Sequence, residues 1–188
     1  MLDPKTKATI IHSVLSEQAL RPECEVLSFQ GENGSKRYQA VALSKDDANI
    51  ACIFSLPTKA RNIYVTVSDG DRAVLRRVLA TLEDMEEESP ILLGNVLQLD
   101  SSELRERNIV GLILLPPNTS NLLSHLPLDM SVGDIQYRFL LVVFLSRTEH
   151  EVWKSKGHDA LMDFFTDTDK DLVSFGAPAR CVHPHGVG

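Results

Sequence analysis

The sequence predicts a single α+β domain in which a mixed, mostly antiparallel sheet is packed by about three helices. The first half of the chain holds β-type segments joined by short polar turns, which is typical of antiparallel hairpins. In the second half, single strands alternate with helical segments, which favours a mixed sheet. The 188 residues contain no internal repeat and no linker long enough to require two domains. We expect the domain to span residues 1–176 and residues 177–188 to form a loosely ordered tail.

The chain begins with a predicted helix over residues 4–20. Asp3 and Pro4 are typical of a helix N-cap and a first helical position, and apolar residues then recur on one face. Strands are predicted next over 24–29, 37–43, 50–56 and 62–67. The alternation of apolar residues over 50–56 predicts a half-buried strand, because successive side chains of a strand point to opposite faces.

A second helix is predicted after Asp71, with one strongly apolar face. Five carboxylates crowd its end, where negative charge opposes the helix dipole by a few tenths of a kcal/mol per charge. The helix is therefore expected to fray there, unless the charges serve another purpose. Ser89 and Pro90 end it.

Three apolar segments lie between this helix and the last one. Residues 91–99 are apolar around a glycine kink, and residues 107–115 form a strand that ends at two prolines. Residues 118–131 are polar and rich in turn residues. A long strand over 135–145 then runs without glycine or proline into the last long helix.

The last long helix begins with a predicted capping box formed by Ser146 and Glu149. Gly157 is predicted inside this helix, where it costs about 1 kcal/mol relative to alanine. We therefore expect the helix to approach the sheet closely at Gly157. Trp153 is expected to pack beside it, and exposure of Trp153 as an anchor for a partner is the alternative. Residues 172–175 form a possible last short strand.

The order of these segments resembles the suppressor of fused-like domain family, in a divergent, bacterial-type form. The most closely matching motif is Lys-Gly-His-Asp-Ala-Leu over residues 156–161. Similar family motifs occur over residues 61–67 with the following helix, and over residues 93–97, 111–117, 139–149 and 171–175. The resemblance lies in the order and spacing of these motifs, since none is diagnostic alone.

The resemblance implies a protein-binding module that is not an enzyme and needs no cofactor. Animal members of the family sequester a transcription factor, and many bacterial members look like immunity proteins of polymorphic toxin systems. The implied function is neutralisation of a cognate toxin by sequestration. A regulatory scaffold that binds an endogenous partner protein is the alternative.

The charge of the chain argues against a nucleic-acid partner. Its 19 basic and 26 acidic side chains give a formal net charge of −7, whereas phosphate backbones require clustered lysine and arginine. No apolar run reaches the length of a membrane span, and the N-terminus lacks the pattern of a signal peptide. The negative net charge of the chain would attract a basic protein and not a nucleic acid, although solubility alone also explains such a charge.

Catalytic and metal-binding motifs are absent from the sequence. It contains no phosphate-binding glycine loop, no G-x-S-x-G and no H-E-x-x-H. Three unpaired cysteines predict reduced thiols in the cytoplasm. His150 and His158 lie too far apart on a continuous helix, by roughly 12 Å of rise, to share one metal. Cys181, His183 and His185 form a C-x-H-x-H pattern in the tail, and we predict no metal site there.

Two acidic clusters remain as candidates for contact with a partner. Such runs are usually solvated faces, and the functional interpretation is a negative patch that docks a basic protein such as a toxin domain. The candidate partner-binding residues are Glu83, Asp84, Glu86, Glu87 and Glu88 in the first cluster and Asp163, Asp167 and Asp169 in the second.

Overall fold

The fold of the chain is seen in a computed structural model that describes residues 2–15, 19–32 and 34–176. These residues form five α-helices, eight strands and two short 3-10 helices. The main elements are, in order, α1 (Pro4–Leu15), β1 (Leu20–Gln30), β2 (Lys36–Ser44), β3 (Ala51–Ser55), β4 (Asn62–Ser68), α2 (Arg72–Glu88), β5 (Val96–Gln98), α3 (Ser102–Glu106), β6 (Ile109–Leu115), β7 (Asp129–Val132), β8 (Ile135–Ser146), α4 (Arg147–Lys156) and α5 (His158–Asp167).

All eight strands belong to one sheet with the order β1-β2-β3-β4-β8-β6-β5, and β7 also pairs with β8. Strands β4 and β8 run parallel, with Ile63 opposite Phe139, and every other pairing is antiparallel. The parallel pair exists because α2 and several later elements separate β4 from β8 in the chain, which gives room for a crossover. The prediction of an α+β domain with a mixed, mostly antiparallel sheet is confirmed.

Helices cover both faces of the sheet. Ile63 and Val65 of β4 belong to a core that includes residues of α1 and α5, whereas Tyr64 between them belongs to a second core with α2. The prediction that the third strand is half-buried was wrong, because every residue of β3 is buried. Strict alternation shows which residues share a face, but a strand in the middle of a three-layer domain buries both faces.

The predicted last long helix is in fact two helices that meet at Gly157. The backbone there has φ of +90°, which residues with a side chain rarely adopt. A Cβ placed on Gly157 would meet no atom within 4 Å. The expected close approach to the sheet was therefore wrong, and the glycine is needed for the turn between α4 and α5. His150 and His158 consequently lie on different helices, and Trp153 is half-buried against the core that includes α5.

Three boundaries also differ from those predicted. Helix α1 is described over Pro4–Leu15, and Leu20, predicted to be helical, instead begins β1. The turn-rich segment 118–131 contributes β7, which pairs with β8 through main-chain groups. Residues 172–175 form no strand. Phe175 is instead held by a hydrogen bond from its N–H to Asp69 Oδ1 of 2.9 Å, and its ring packs against Gly70, where a side chain would collide. The predicted tail, with Cys181, His183 and His185, lies outside the described residues.

Candidate partner-binding surface

The first acidic cluster lies at the carboxyl end of α2. The carboxylate of Asp71 caps the start of this helix by accepting hydrogen bonds from the N–H groups of Ala73 and Val74, over 2.8 and 3.2 Å. The apolar face of α2 packs on the sheet, and this packing directs the carboxylates at its end toward the sheet or toward solvent. The helix does not fray early but continues to Glu88.

Arg37 of β2 neutralises two of these carboxylates. Its side chain is only 1% exposed, and its Nε donates to Asp84 Oδ1 over 3.0 Å. Its Nη1 donates to Glu87 Oε1 over 2.8 Å. Burial opposes the charge of the guanidinium, but the hydrogen bonds to Glu87 and Asp84 outweigh it and raise the pKa of Arg37. The hydrogen bond from Arg37 in turn lowers the pKa of Glu87.

Glu83 lies inside the protein, with an exposure of 0%. Neither of its carboxylate oxygens has a hydrogen-bond partner among the described residues. Burial raises the pKa of Glu83 to about 8, although the charge of Arg37 acts in the opposite direction. Glu83 therefore presents no surface that a partner could contact in this conformation.

Glu86 is bound to the start of β4. Its Oε2 accepts a hydrogen bond from the hydroxyl of Tyr64 over 2.8 Å, and its Oε1 accepts from the N–H groups of Arg61 and Asn62 over 3.4 and 3.3 Å. Burial and the charge of Glu86 raise the pKa of Tyr64. The negative charges at this end of α2, which the helix dipole disfavours, thus interact with an arginine and with main-chain donors of the sheet.

The outer part of this region carries the groups that a partner could reach. Glu88 is exposed and forms no ion pair with any described residue. Leu92 and Leu93 follow in the chain and are 56% and 39% exposed. The turn that carries them is held by a hydrogen bond of 2.8 Å from the N–H of Leu92 to Asn95 Oδ1. The two adjacent leucines therefore give this turn a small apolar surface.

The second acidic cluster lies on the outer face of α5. Asp159, Asp163 and Asp167 are four residues apart, so they share one face of the helix, and Asp169 lies two residues after its end. All four are exposed, and none forms an ion pair with another described residue. We call these four residues the acidic face of α5.

The two acidic clusters lie on opposite sides of the sheet. Helix α2 packs on one of its faces and α5 on the other, so the structure does not bring the clusters together. Their role in partner binding stays a prediction, which now concerns the acidic face of α5 and Glu88.

In the part of the chain that the structure describes, no three histidine, cysteine or acidic side chains are arranged to hold a metal ion. None of the described helices has the length and apolar character needed to cross a membrane.

Comparison with known proteins gives a clear result for the fold. No protein-family model and no curated protein sequence matches the chain. A solved structure does match: a suppressor of fused (SUFU) homologue from Neisseria gonorrhoeae FA 1090, with a TM-score of 0.67 and 11% sequence identity. The match covers 92% of this chain and 93% of that protein. The chain has a suppressor of fused-like fold.

Two further structures of suppressor of fused proteins are more distant. The structure of the Sufu-Fu complex gives a TM-score of 0.42 at 10% identity, over 86% of this chain and 77% of that one. Drosophila Suppressor of Fused gives 0.47 at 9% identity, over 93% of this chain and 52% of that one. The chain thus spans about half the length of the Drosophila protein.

In the folded chain Arg37 and Asp84 form an ion pair that the sequence did not predict. The sequence predicts Arg37 only as part of a strand, and its role as the partner of Asp84 was missed. The available signal was its position: Arg37, Gln39 and Val41 alternate along β2, so they point to the side on which α2 packs. The exposed pair Leu92 and Leu93 was also missed, because the apolar composition of residues 91–99 does not show which of their side chains are buried.

Proposed function

We propose that this chain is a non-enzymatic, protein-binding immunity protein of a bacterial polymorphic toxin system. It acts in the cytoplasm, where it binds a cognate toxin and neutralises it by sequestration. The toxin domain is basic, and it docks on the acidic face of α5. Glu88 belongs to a second contact at the end of α2, together with Leu92 and Leu93.

The observation that carries the proposal is the acidic face of α5 on a suppressor of fused-like fold. Four carboxylates project from one short region, and they lack partners among the described residues. Asp163 and Asp167 are like charges four residues apart on the helix, which destabilises it, so the stability of the helix gives no reason to keep this pair. A cationic partner would remove this repulsion on binding.

The net charge of −7 supports the same mechanism. Long-range attraction between an acidic protein and a basic toxin raises the rate of encounter, which matters because an immunity protein must bind before the toxin acts. The exposed leucines Leu92 and Leu93 supply apolar area, which slows dissociation once the proteins have met.

The test is protection of cells that co-express this chain with toxin domains encoded by neighbouring genes. We expect survival with the native chain and recovery of the complex by pull-down at low salt. The variant Asp163→Lys/Asp167→Lys should reduce protection and slow association. Asp46→Lys/Glu106→Lys is the matched control, because it makes the same change in net charge at exposed positions on other elements.

Two outcomes would contradict the proposal. If no neighbouring gene encodes a toxin domain and the pull-down recovers no protein, the chain is not an immunity protein. If the pull-down recovers a housekeeping protein and no toxin, the chain is a regulatory scaffold for an endogenous partner.

A further inference from the structure

A second surface of the molecule carries three cationic side chains and two carboxylates, although the chain as a whole is acidic. A cleft of about 480 Å³ lies between α3, α4 and the β5–β6 region. Arg105 of α3 and the side chains of Arg147, His150 and Lys154 of α4 line it, and Leu99 and Val110 contribute apolar surface. We call it the basic cleft.

Three residues of α4 line the cleft, and Glu151 lies between Arg147 and Lys154 on the same face. Arg147, His150 and Lys154 are spaced by three and four positions, which places them on the same face of a helix. The row extends over seven positions, or roughly 10 Å of helix rise. This is the length of about three residues of an extended peptide, at roughly 3.3 Å each.

The charges of the row are available to a ligand. Neither Arg147 nor Lys154 forms an ion pair with another described residue. Arg105 pairs with Asp100 over 2.7 Å, but both side chains are exposed and this contact is easily exchanged. Glu151 is the only other carboxylate in the described lining, so positive side chains exceed negative ones here, although the chain as a whole is acidic.

We propose that the basic cleft binds an acidic, extended peptide segment of a protein partner. Carboxylates at alternate positions of such a segment are about 7 Å apart and would reach both ends of the row. A segment with two carboxylates would contact Arg147 and Lys154 without moving either side chain, whereas a single phosphate would contact both only if the two side chains converge on it. Leu99 and Val110 would contact the aliphatic parts of the segment. This inference goes beyond the proposed function, which uses acidic surfaces on other elements to bind a basic toxin.

The single tryptophan of the chain offers a direct measurement. The ring centroids of Trp153 and His150 are 5.5 Å apart, so a ligand that contacts His150 should change the fluorescence of Trp153. The probe is a short blocked peptide in which glutamate alternates with serine and leucine. The control peptide has glutamine at every glutamate. We expect saturable binding of the acidic peptide at low salt, weakening as salt is added, and no binding of the control.

Charge reversal on α4 tests the location of the site. The variant Arg147→Glu/Lys154→Glu should weaken binding by tenfold or more, on the order of the effect of two reversed charges. Lys156→Glu is the matched control on the same helix, because nine positions from Arg147 correspond to the opposite face at 3.6 residues per turn. It should leave the affinity within about twofold.

Several results would overturn the proposal. One is a loss of binding in Lys156→Glu of half or more of that in Arg147→Glu/Lys154→Glu on a logarithmic scale, since Lys156→Glu makes half the change in net charge and binding would then follow net charge alone. Another is binding of inorganic phosphate or a nucleoside triphosphate as tightly as the peptide, which would indicate a small-anion site. A third is self-association that Arg147→Glu/Lys154→Glu abolishes, because the occupant would then be the acidic face of α5 in a second copy. Failure of the toxin test leaves these fluorescence results unaffected.

Discussion

Arg37 of β2 and Asp84 of α2 form a buried ion pair that connects the sheet to the carboxyl end of the helix. Arg37 donates to Asp84 from Nε over 3.0 Å and also from Nη2. Gly31 lies against the same carboxylate, and a Cβ at Gly31 would collide with it. The pair therefore depends on a residue without a side chain in the turn after β1, which leaves room for the carboxylate.

Removal of Arg37 alone should destabilise the protein strongly. In Arg37→Met, Asp84 would stay in a largely buried position without its cation, and Glu87 would lose its hydrogen bond. We expect the free energy of unfolding to fall by about 3 kcal/mol, as for other buried pairs that lose one partner. Urea denaturation followed by circular dichroism measures this loss.

A double variant separates the charge effect from a packing effect. Arg37→Met/Asp84→Leu replaces both partners by apolar side chains and should recover a large part of the lost stability. If Arg37→Met alone unfolds at the same urea concentration as the native protein, the ion pair contributes no stability.

Glu83 should make the stability of the protein depend on pH. Its folded-state pKa of about 8 lies above the ordinary value of 4.5, so the folded protein holds this proton more tightly than the unfolded chain does. The stability associated with the protonated form is fully present below pH 4.5 and is lost as the pH rises through about 8. Above that pH the ionised carboxylate lies buried without a hydrogen-bond donor.

The variant Glu83→Gln tests this directly, because glutamine has no proton to lose. Relative to the native protein, it should gain stability between pH 5 and pH 9, by an amount on the order of a few kcal/mol. Asp46→Asn, at an exposed position, is the control. A difference in unfolding free energy between Glu83→Gln and the native protein that is constant over this pH range would show that Glu83 does not titrate there.

The elements with clear periodicity were predictable because their pattern is local. The apolar face of α2 and the long apolar run of β8 each indicate one kind of element, and the structure contains both. The break at Gly157 was not predictable in the same way. Trp153, Leu161 and Phe164 keep a helical spacing through the turn, so the pattern does not reveal that the chain changes direction between them.

The candidate site was predictable only in part, since charge in a sequence does not show on which side of a helix it lies. Glu83 and Asp84 are adjacent to exposed acidic residues, yet both are buried. The burial of Asp84 depends on Arg37, 47 residues earlier, and strand alternation alone does not identify that partner. The acidic face of α5 is exposed because the apolar residues of the same helix face the core and fix the orientation of the helix.

Gly157→Ala should destabilise the junction of α4 and α5. The backbone at Gly157 has φ of +90° and ψ of −172°, a region that costs other residues about 1–3 kcal/mol. No neighbouring atom opposes a methyl group there, so the whole loss should come from the backbone. Thermal unfolding measures it. D-alanine, introduced by semisynthesis, is the control because it accepts this conformation, and an equal loss with D-alanine would indicate a steric clash instead.

Neutralisation of the acidic face of α5 should make the protein more stable. Asp163 and Asp167 are like charges four residues apart, and Asp167 lies at the end of the helix, where the dipole disfavours negative charge. Each effect amounts to a few tenths of a kcal/mol. Asp163→Asn/Asp167→Asn should therefore raise the free energy of unfolding by about 0.5–1 kcal/mol at low salt, and the gain should shrink as salt screens the charges.

The same variant should bind a basic partner more slowly, because the charges that destabilise the helix are those that attract the partner. Stopped-flow association at several salt concentrations measures this rate. Asp100→Asn/Asp129→Asn is a useful contrast: these aspartates already form ion pairs with Arg105 and Arg138, so their neutralisation should not stabilise the protein. If Asp163→Asn/Asp167→Asn lowers stability instead, the two aspartates support the fold, and stability alone would explain their presence on α5.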